Sequence, residues 1–305
     1  STASRTRGTP AGNERPRMIA NLAGVLFDGI AYGALLFLVS VGLSVTLGLM
    51  NFVNLAHGAF AMLGGYVCVV SMTQLGVPFL AALPVAFVVT AVAGVALERT
   101  LYRRLYGASH LDQVLFSIGL VFMAIAAATW LWGPNQQPVQ LPGFLQGQVN
   151  FAGVDLGIYR LFLIAVVVAI TVALQWLIES TRFGAQLRAS VDDAQASAGL
   201  GIHVDRIFAL TFALGSGLAG LGGALGIDVL GLDPGFPLKT MVYFLLVVAV
   251  GGAGSIRGPL VAALVLGVFD VAGKYYLPEV GAFVIYALMI VLLVAFPAGL
   301  FGARR

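Results

Sequence analysis

The stretch NFVNLAHGAF, residues 51–60, places two amides and an imidazole between long apolar runs on either side. Asn51, Asn54 and His57 are spaced three residues apart. The stretch is either an ordinary turn between two helices or a polar break inside a membrane-spanning segment. Which of the two applies depends on whether water or lipid surrounds the segment. The composition of the whole chain indicates which of them it is.

The chain has 305 residues, of which 60% are hydrophobic and 10% charged, and its mean hydropathy is +0.99. Soluble domains carry roughly 25% charged residues, so this chain has too few to cover a water-facing surface. Apolar runs recur, most of them about the length that spans a bilayer as a helix. We predict an all-α, polytopic transmembrane helical bundle of about 8–9 membrane segments. The apolar segments lie at about 19–49, 58–75, 78–97, 111–132, 157–178, 206–227, 236–250, 259–276 and 280–297.

The sequence divides the chain into two regions. Residues 1–18 are polar and rich in Gly, Pro and Ser, which predicts a disordered tail. Residues 19–302 form the transmembrane domain, and its first apolar run is expected to be a retained helix, because no small-residue cleavage site follows a short apolar stretch.

The distribution of arginines predicts the orientation of the bundle. Residues 98–110, residues 179–206 and the final Arg304 and Arg305 are basic, whereas residues 133–156 contain no Lys or Arg. The positive-inside rule makes the basic regions cytoplasmic and 133–156 external. Three full spans before the 98–110 loop would place the N-terminus outside, although the four arginines of the tail favour the inside.

A weak internal repeat favours the external tail. A shift of 200 residues superposes LAHGAFAML (55–63) on SIRGPLVAA (255–263). Each segment follows one apolar run and precedes another, which predicts two similar helix–break–helix units with broken or re-entrant elements. Repeats of this kind are common in transporters, whose sites lie between them.

The two breaks supply the candidate residues for a substrate pathway. Non-helical backbone at membrane depth persists only where it lines a cavity or is buried in protein. We therefore expect Asn51, Asn54, His57 and Ser255 to line a path for a polar solute. The alternatives are plain cytoplasmic turns and, for His57, a structural role.

Other ionisable groups within apolar runs are few. Asp28 lies inside the first run, where a charge is costly, so it indicates either function or an interfacial position. Asp270 and Lys274 are four residues apart and predict a structural helical ion pair.

The cytoplasmic loop 180–205 predicts a docking helix for a partner protein. Asp192 is expected to be the N-cap, with Gln195 completing a capping box, and the helix is expected to end before Gly199 and Gly201. A helix of about two turns is marginal alone in water, and its small side chains suit a groove on another protein. The coupling residues predicted here are Arg188, Asp192, Asp193, Ala194, Gly199 and Gly201.

The motifs exclude several enzyme classes. Neither lysine lies in a GxxxxGK[ST] pattern, so the chain has no phosphate-binding loop of its own. The three histidines are far apart and no HExxH occurs, so we predict no catalytic residues and no metal site. The net charge of +3 comes from arginines at the ends of the apolar segments, so it indicates membrane topology and not nucleic-acid binding.

At this point the sequence resembles the branched-chain amino acid ABC importer permeases. The segments that carry the resemblance are GLMNFVNLAHGAFAMLGGY (48–66), FGAQLRASVDDAQASAGLGIHVDRIFALTFALGSGLAGLGG (183–223), VVAVGGAGSIRGPLVAALVLGVF (247–269) and FPAGLFG (296–302). They occur in the family's order over about residues 20–302, and the first motif is more similar to the H-type than to the M-type subunit. The family's loop pattern, EAA followed by glycine, becomes Asp193-Ala194-Gln195 with Gly199 and Gly201.

The resemblance implies a heterodimeric or homodimeric pore in the bacterial inner membrane. Two cytoplasmic ATPase subunits would bind ATP and Mg, so this chain would need no cofactor, and a periplasmic binding protein would deliver the solute. The external loop 133–156 would either contact that protein or form a structural hairpin. Branched-chain or related small amino acids are the expected solutes, with urea and short amides as the alternative within the family.

Two other functions stay open. A stand-alone channel or secondary carrier would need no docking helix, and ion coupling usually uses several membrane-embedded acids, of which the chain offers Asp28 and Asp270. An intramembrane enzyme would need a catalytic arrangement that the motifs do not contain.

Overall fold

The computed structural model describes residues 14–50, 52, 54–151, 153–252, 254–297 and 299–301. These residues form eleven α-helices, two short β-strands and two single-turn 3₁₀ helices. The helices are α1 (Glu14–Met50), α2 (His57–Thr73), α3 (Phe79–Thr100), α4 (His110–Trp132), α5 (Ile158–Ser180), α6 (Arg182–Asp192), α7 (Ala194–Gly199), α8 (Val204–Leu230), α9 (Phe236–Gly251), α10 (Arg257–Tyr276) and α11 (Gly281–Ala295). The strands are β1 (Gln148–Phe151) and β2 (Val154–Gly157).

Among the described helices, six are long and apolar enough to cross a membrane, namely α1, α3, α4, α5, α8 and α10. The shorter apolar helices are α2, α9 and α11. Each predicted apolar segment corresponds to one of these nine helices, with boundaries within three residues except at the start of α1. That helix begins at Glu14, inside the segment predicted as a tail, and residues 1–13 lie outside the described residues.

Helix α8 lies at the centre of the bundle and contacts α1, α2 and α3. Its sequence GSGLAGLGGALG (215–226) explains the contacts, because glycines allow backbones to approach closely. A Cβ added at Gly64 of α2 would overlap the backbone of Gly220. Between helices in lipid, close packing replaces the hydrophobic drive that holds soluble cores together.

The two helix–break–helix units pack crosswise. In the first unit α1 precedes the break and α2 follows it, whereas in the second α9 precedes and α10 follows. Helix α1 packs against α10, and α2 packs against α9. Gly33 makes the first contact possible, since a Cβ there would meet Leu264 Cα at 2.8 Å.

Contacts at the two ends of the bundle show at which end α1 begins. Asp28, in the first half of α1, pairs with Arg160 at the start of α5, and α1 also contacts β2. At the opposite end Arg103 pairs with Asp205, which joins two of the basic stretches. Helix α1 therefore begins at the end of the bundle that holds loop 133–156, as three spans before the 98–110 loop require.

Loop 133–156 ends in a short antiparallel hairpin of β1 and β2 within an otherwise helical fold. Asn150 fixes the turn, with Nδ2 donating to Asp155 Oδ1 at 2.7 Å and Oδ1 accepting from Gly153 N at 3.3 Å. Gly153 has a φ of +83°, which favours glycine. The loop therefore contains a hairpin, and contact of this loop with a binding protein stays a prediction.

Candidate functional site

The first break is held by hydrogen bonds to α4 and to the connection between α3 and α4. Asn54 is 2% exposed, and its Oδ1 accepts from Tyr102 Oη at 2.9 Å and from Ala56 N at 3.1 Å. Leu55 N donates to Ser117 Oγ at 3.2 Å. These bonds satisfy backbone and side-chain groups that would be costly to bury unpaired. Asn51, predicted beside them, lies outside the described residues.

His57 is the first residue of α2 and is 2% exposed. Its Nε2 lies 2.8 Å from Val39 O, and its ring meets Phe244 edge-on with centroids 5.9 Å apart. Because a carbonyl oxygen only accepts, Nε2 carries the proton and donates. The imidazole thus joins α2 to the middle of α1 and to α9.

The second break is tied to the end of α1. Ser255 O accepts from Ser44 Oγ at 3.1 Å, and Gly254 N donates to Ser44 O at 3.4 Å. Ser255 Oγ also accepts from Gly258 N at 3.1 Å, which satisfies a free donor in the first turn of α10. The serine therefore holds both the backbone of the break and the helix that follows it.

The structure brings Ser255 and Arg188, predicted for different roles, to the same cavity of about 330 Å³. Arg188 donates from α6 to Ile178 O near the end of α5. Arg257 lies 3.4 Å from Glu179 in the same cavity. The segment that contains Arg188 therefore reaches the second break through the end of α5, whereas Asn54 and His57 do not line this cavity.

The coupling segment forms two helices, and the predicted N-cap is wrong by one residue. Asp192 is the last residue of α6, whereas Asp193 has an extended backbone (φ −152°, ψ 99°) and caps α7. Asp193 Oδ1 accepts from Ala196 N at 2.8 Å. Gln195 is consequently the second residue of α7, one position short of a capping box.

Helix α7 is exposed at the end of the bundle opposite the hairpin. Ala194 and Gly199, its first and last residues, are exposed, as are Asp192 and Asp193 before it. Gly201 has a φ of +85° and reverses the chain toward α8, beside an open concavity of about 420 Å³. The segment thus presents small side chains and a concave surface to the solvent.

Sequence reasoning missed two tyrosines in the connection after α3. Tyr102 donates to Asn54, and Tyr106 Oη donates to the buried Glu98 Oε1 at 2.8 Å. Burial raises the pKa of both phenols, so they stay protonated and donate. The arginines around them predicted only the side of the membrane on which this connection lies. No pattern in the neighbouring residues indicates that a tyrosine in such a polar connection is buried.

We expect Tyr102→Phe to lower the free energy of unfolding by about 1 kcal/mol, because the change leaves Asn54 Oδ1 with one partner fewer. Thermal unfolding in detergent measures the effect. Tyr275→Phe is the matched control, since Tyr275 is exposed at the end of α10. Equal melting temperatures for the two variants would contradict a structural role for the Tyr102–Asn54 bond.

Within the described part of the chain, no group of three or more His, Cys, Asp or Glu side chains could hold a metal ion.

Comparisons with known proteins match nearly the whole chain. A family model described as branched-chain amino acid transport system / permease component matches residues 25–293. The permease protein BraD of a high-affinity branched-chain amino acid transport system of Pseudomonas aeruginosa is 29% identical over 294 residues, covering 91% of this chain and 94% of BraD. The corresponding LivH of Escherichia coli K12 is 27% identical over 293 residues, with the same coverage. A probable LivH of Methanocaldococcus jannaschii is 27% identical over 281 residues, covering 88% of this chain and 87% of that protein.

Proposed function

The chain belongs to the family of branched-chain amino acid transport permease components, and on that premise we propose that it is the membrane-spanning subunit of an ATP-driven importer. It is a transport subunit and not an enzyme, and its solutes are branched-chain or related small amino acids. Cytoplasmic ATPase subunits bind ATP and Mg, and a binding protein delivers the solute. One observation carries this proposal: α7 is exposed, and Arg188 on the adjoining α6 donates to the end of α5. The end of α5 in turn reaches the second break.

The finer architecture is also part of the proposal. We infer about 8–9 membrane segments, two repeated helix–break–helix units, an external N-terminus and a location in the bacterial inner membrane. The pore pairs this chain with a second, M-type permease subunit or with another copy of itself. Exposed apolar side chains on α4 and α5, such as Phe122, Val172 and Trp176, offer surface for lipid and for that subunit.

The mechanism is alternating access driven from the cytoplasm. ATPase movement displaces α7 and α6, and the Arg188 bond to Ile178 O transmits the displacement to the end of α5. The Glu179–Arg257 pair passes it to the start of α10. The solute path runs beside the breaks, which Asn54, His57 and Ser255 hold in place through their hydrogen bonds. Asn51, predicted with them, lies outside the described residues.

Gentle purification of the importer from its native membrane, followed by mass spectrometry, tests this function. We expect the chain to be recovered with two ATPase subunits. A related permease recovered with them would show that the pore is formed by two different permease chains. Reconstituted vesicles then take up L-leucine when ATP and the binding protein are supplied. Recovery of the chain alone in several mild detergents would support the stand-alone carrier instead.

A further inference from the structure

A second group of charged residues surrounds a cavity of about 170 Å³ between α1, α5, α8 and α10. The charged members are Asp28, Arg160, Asp270 and Lys274. The cavity lies at the hairpin end of the bundle, where the solute would arrive. It far exceeds the roughly 10–15 Å³ that a single water needs.

Asp270 is the buried member of this group. It is 1% exposed, and its Oδ2 lies 2.5 Å from Lys274 Nζ. Its Oδ1 is buried and has no hydrogen-bond partner among the described residues. A buried carboxylate oxygen without a donor is costly. Asp270 belongs to the lining of the cavity, so a ligand that donated a hydrogen bond to this oxygen would remove that cost.

The basic members are open to solvent. The side chains of Arg160 and Lys274 are 47% and 50% exposed. Arg160 contacts Asp28 through Nη1, and a guanidinium has further N–H donors that a carboxylate can engage bidentately. Lys274 Nζ lies 5.7 Å from the centroid of the Tyr32 ring, which stabilises its charge. The exposed part of the cavity therefore carries the two cationic groups together with Asp28, whose side chain is 34% exposed, and Asp270 lies in the interior.

Apart from Tyr32, the remaining wall of the cavity is apolar. Leu163, Val229 and Val271 line the cavity beside the charged groups. These three side chains offer an aliphatic surface to a hydrocarbon group. Charge and shape together match a molecule with one positive group, one negative group and a small hydrocarbon part.

We propose that this cavity binds a small aliphatic α-amino acid at the external side of the permease. The α-ammonium donates to Asp270 Oδ1, the α-carboxylate binds Arg160 and Lys274, and the side chain contacts Leu163 and Val229. This inference rests on the proposed function for its ligand class, and it adds a site that the two breaks do not contain.

The balance of charge selects a zwitterion over a simple ion. Two acids and two bases leave the cavity neutral, so a cation or an anion would bring an uncompensated charge into a partly buried space. A zwitterion adds one charge of each sign, and each meets an opposite partner. Two purely structural ion pairs would give no reason for the free Asp270 oxygen.

Equilibrium binding of radiolabelled L-leucine to the intact importer in nanodiscs, without the binding protein, tests the site. We expect saturable binding to the parental complex, and at least tenfold weaker binding for Asp270→Asn and Arg160→Gln. Asp155→Asn, an exposed acid on β2 outside the cavity, is the matched control and should bind normally. Isopentylamine, which lacks the carboxylate, and 4-methylpentanoate, which lacks the ammonium, should compete at least tenfold less well than leucine.

A second variant guards against loss of folding. Arg160→Lys keeps the positive charge, so its complex should assemble and show weakened binding of intermediate size. Absence of saturable binding to the parental complex, normal binding by the Asp270 and Arg160 variants, or equal competition by the two analogues would overturn the site. In each of these cases ATP-driven leucine uptake by the parental vesicles still supports the importer function. Failure of that uptake would overturn the function itself, and the ligand assignment with it.

Discussion

Replacing Gly223 with alanine is expected to destabilise the permease by about 3 kcal/mol or more, although a single methyl group is added. A Cβ at this position would overlap the backbone carbonyl of Ala61 in α2. No side-chain rotation relieves a clash between backbones, so α8 must separate from α2. Because α8 also contacts α1 and α3, the displacement would spread through the centre of the bundle.

The matched control is Gly119→Ala on α4, where an added Cβ has no neighbour within 4 Å. Alanine there should stabilise the helix by about 0.5–1 kcal/mol, since glycine is the poorer helix former. The two variants therefore carry the same chemical change with opposite expected signs. Recovery of monodisperse protein by size-exclusion chromatography and thermal unfolding in detergent measure both. A stable, fully recovered Gly223→Ala protein would refute the α2–α8 packing.

The second large effect is a loss of coupling without loss of insertion. Gly201→Val places a β-branched residue at a φ of +85°, which L residues other than glycine adopt only with strain. Asp193→Lys removes the cap on Ala196 N and puts a positive charge at the N-terminus of α7. Both changes distort an exposed segment, so the transmembrane bundle should form normally.

We expect either variant to lower ATP-driven uptake at least tenfold while the amount of inserted protein stays within the normal range. Uptake by vesicles, ATPase activity of the purified complex and membrane content are measured together. Gly107→Val is the control, because Gly107 is exposed on the same side and an added Cβ there is free of contacts. Normal uptake by the Gly201 and Asp193 variants would mean that α7 does not couple the ATPases to the pore.

Some parts of the candidate site followed from local sequence and others did not. The position of the coupling helix was predicted because two hydrophobic spans bracket a polar segment with capping and glycine residues. Its N-cap was misplaced because Asp192 and Asp193 are both good caps, and only the length of α6 decides which of them ends that helix. Asn54 and His57 were identified as unusual, but their partners Tyr102 and Val39 lie 48 and 18 residues away.

The membrane class and the nine apolar helices could be predicted from the sequence alone, and the cytoplasmic position of the coupling loop stays a prediction. These features depend on hydropathy, helix length and charge, which are properties of contiguous residues. Three features could be seen only in the folded chain: which end of α1 faces the hairpin, that Arg188 reaches the cavity of Ser255, and that Asp28 meets Arg160 across 132 residues. Pairings of this kind depend on how helices pack through their glycines, and that three-dimensional fit has no counterpart in any local stretch of the chain.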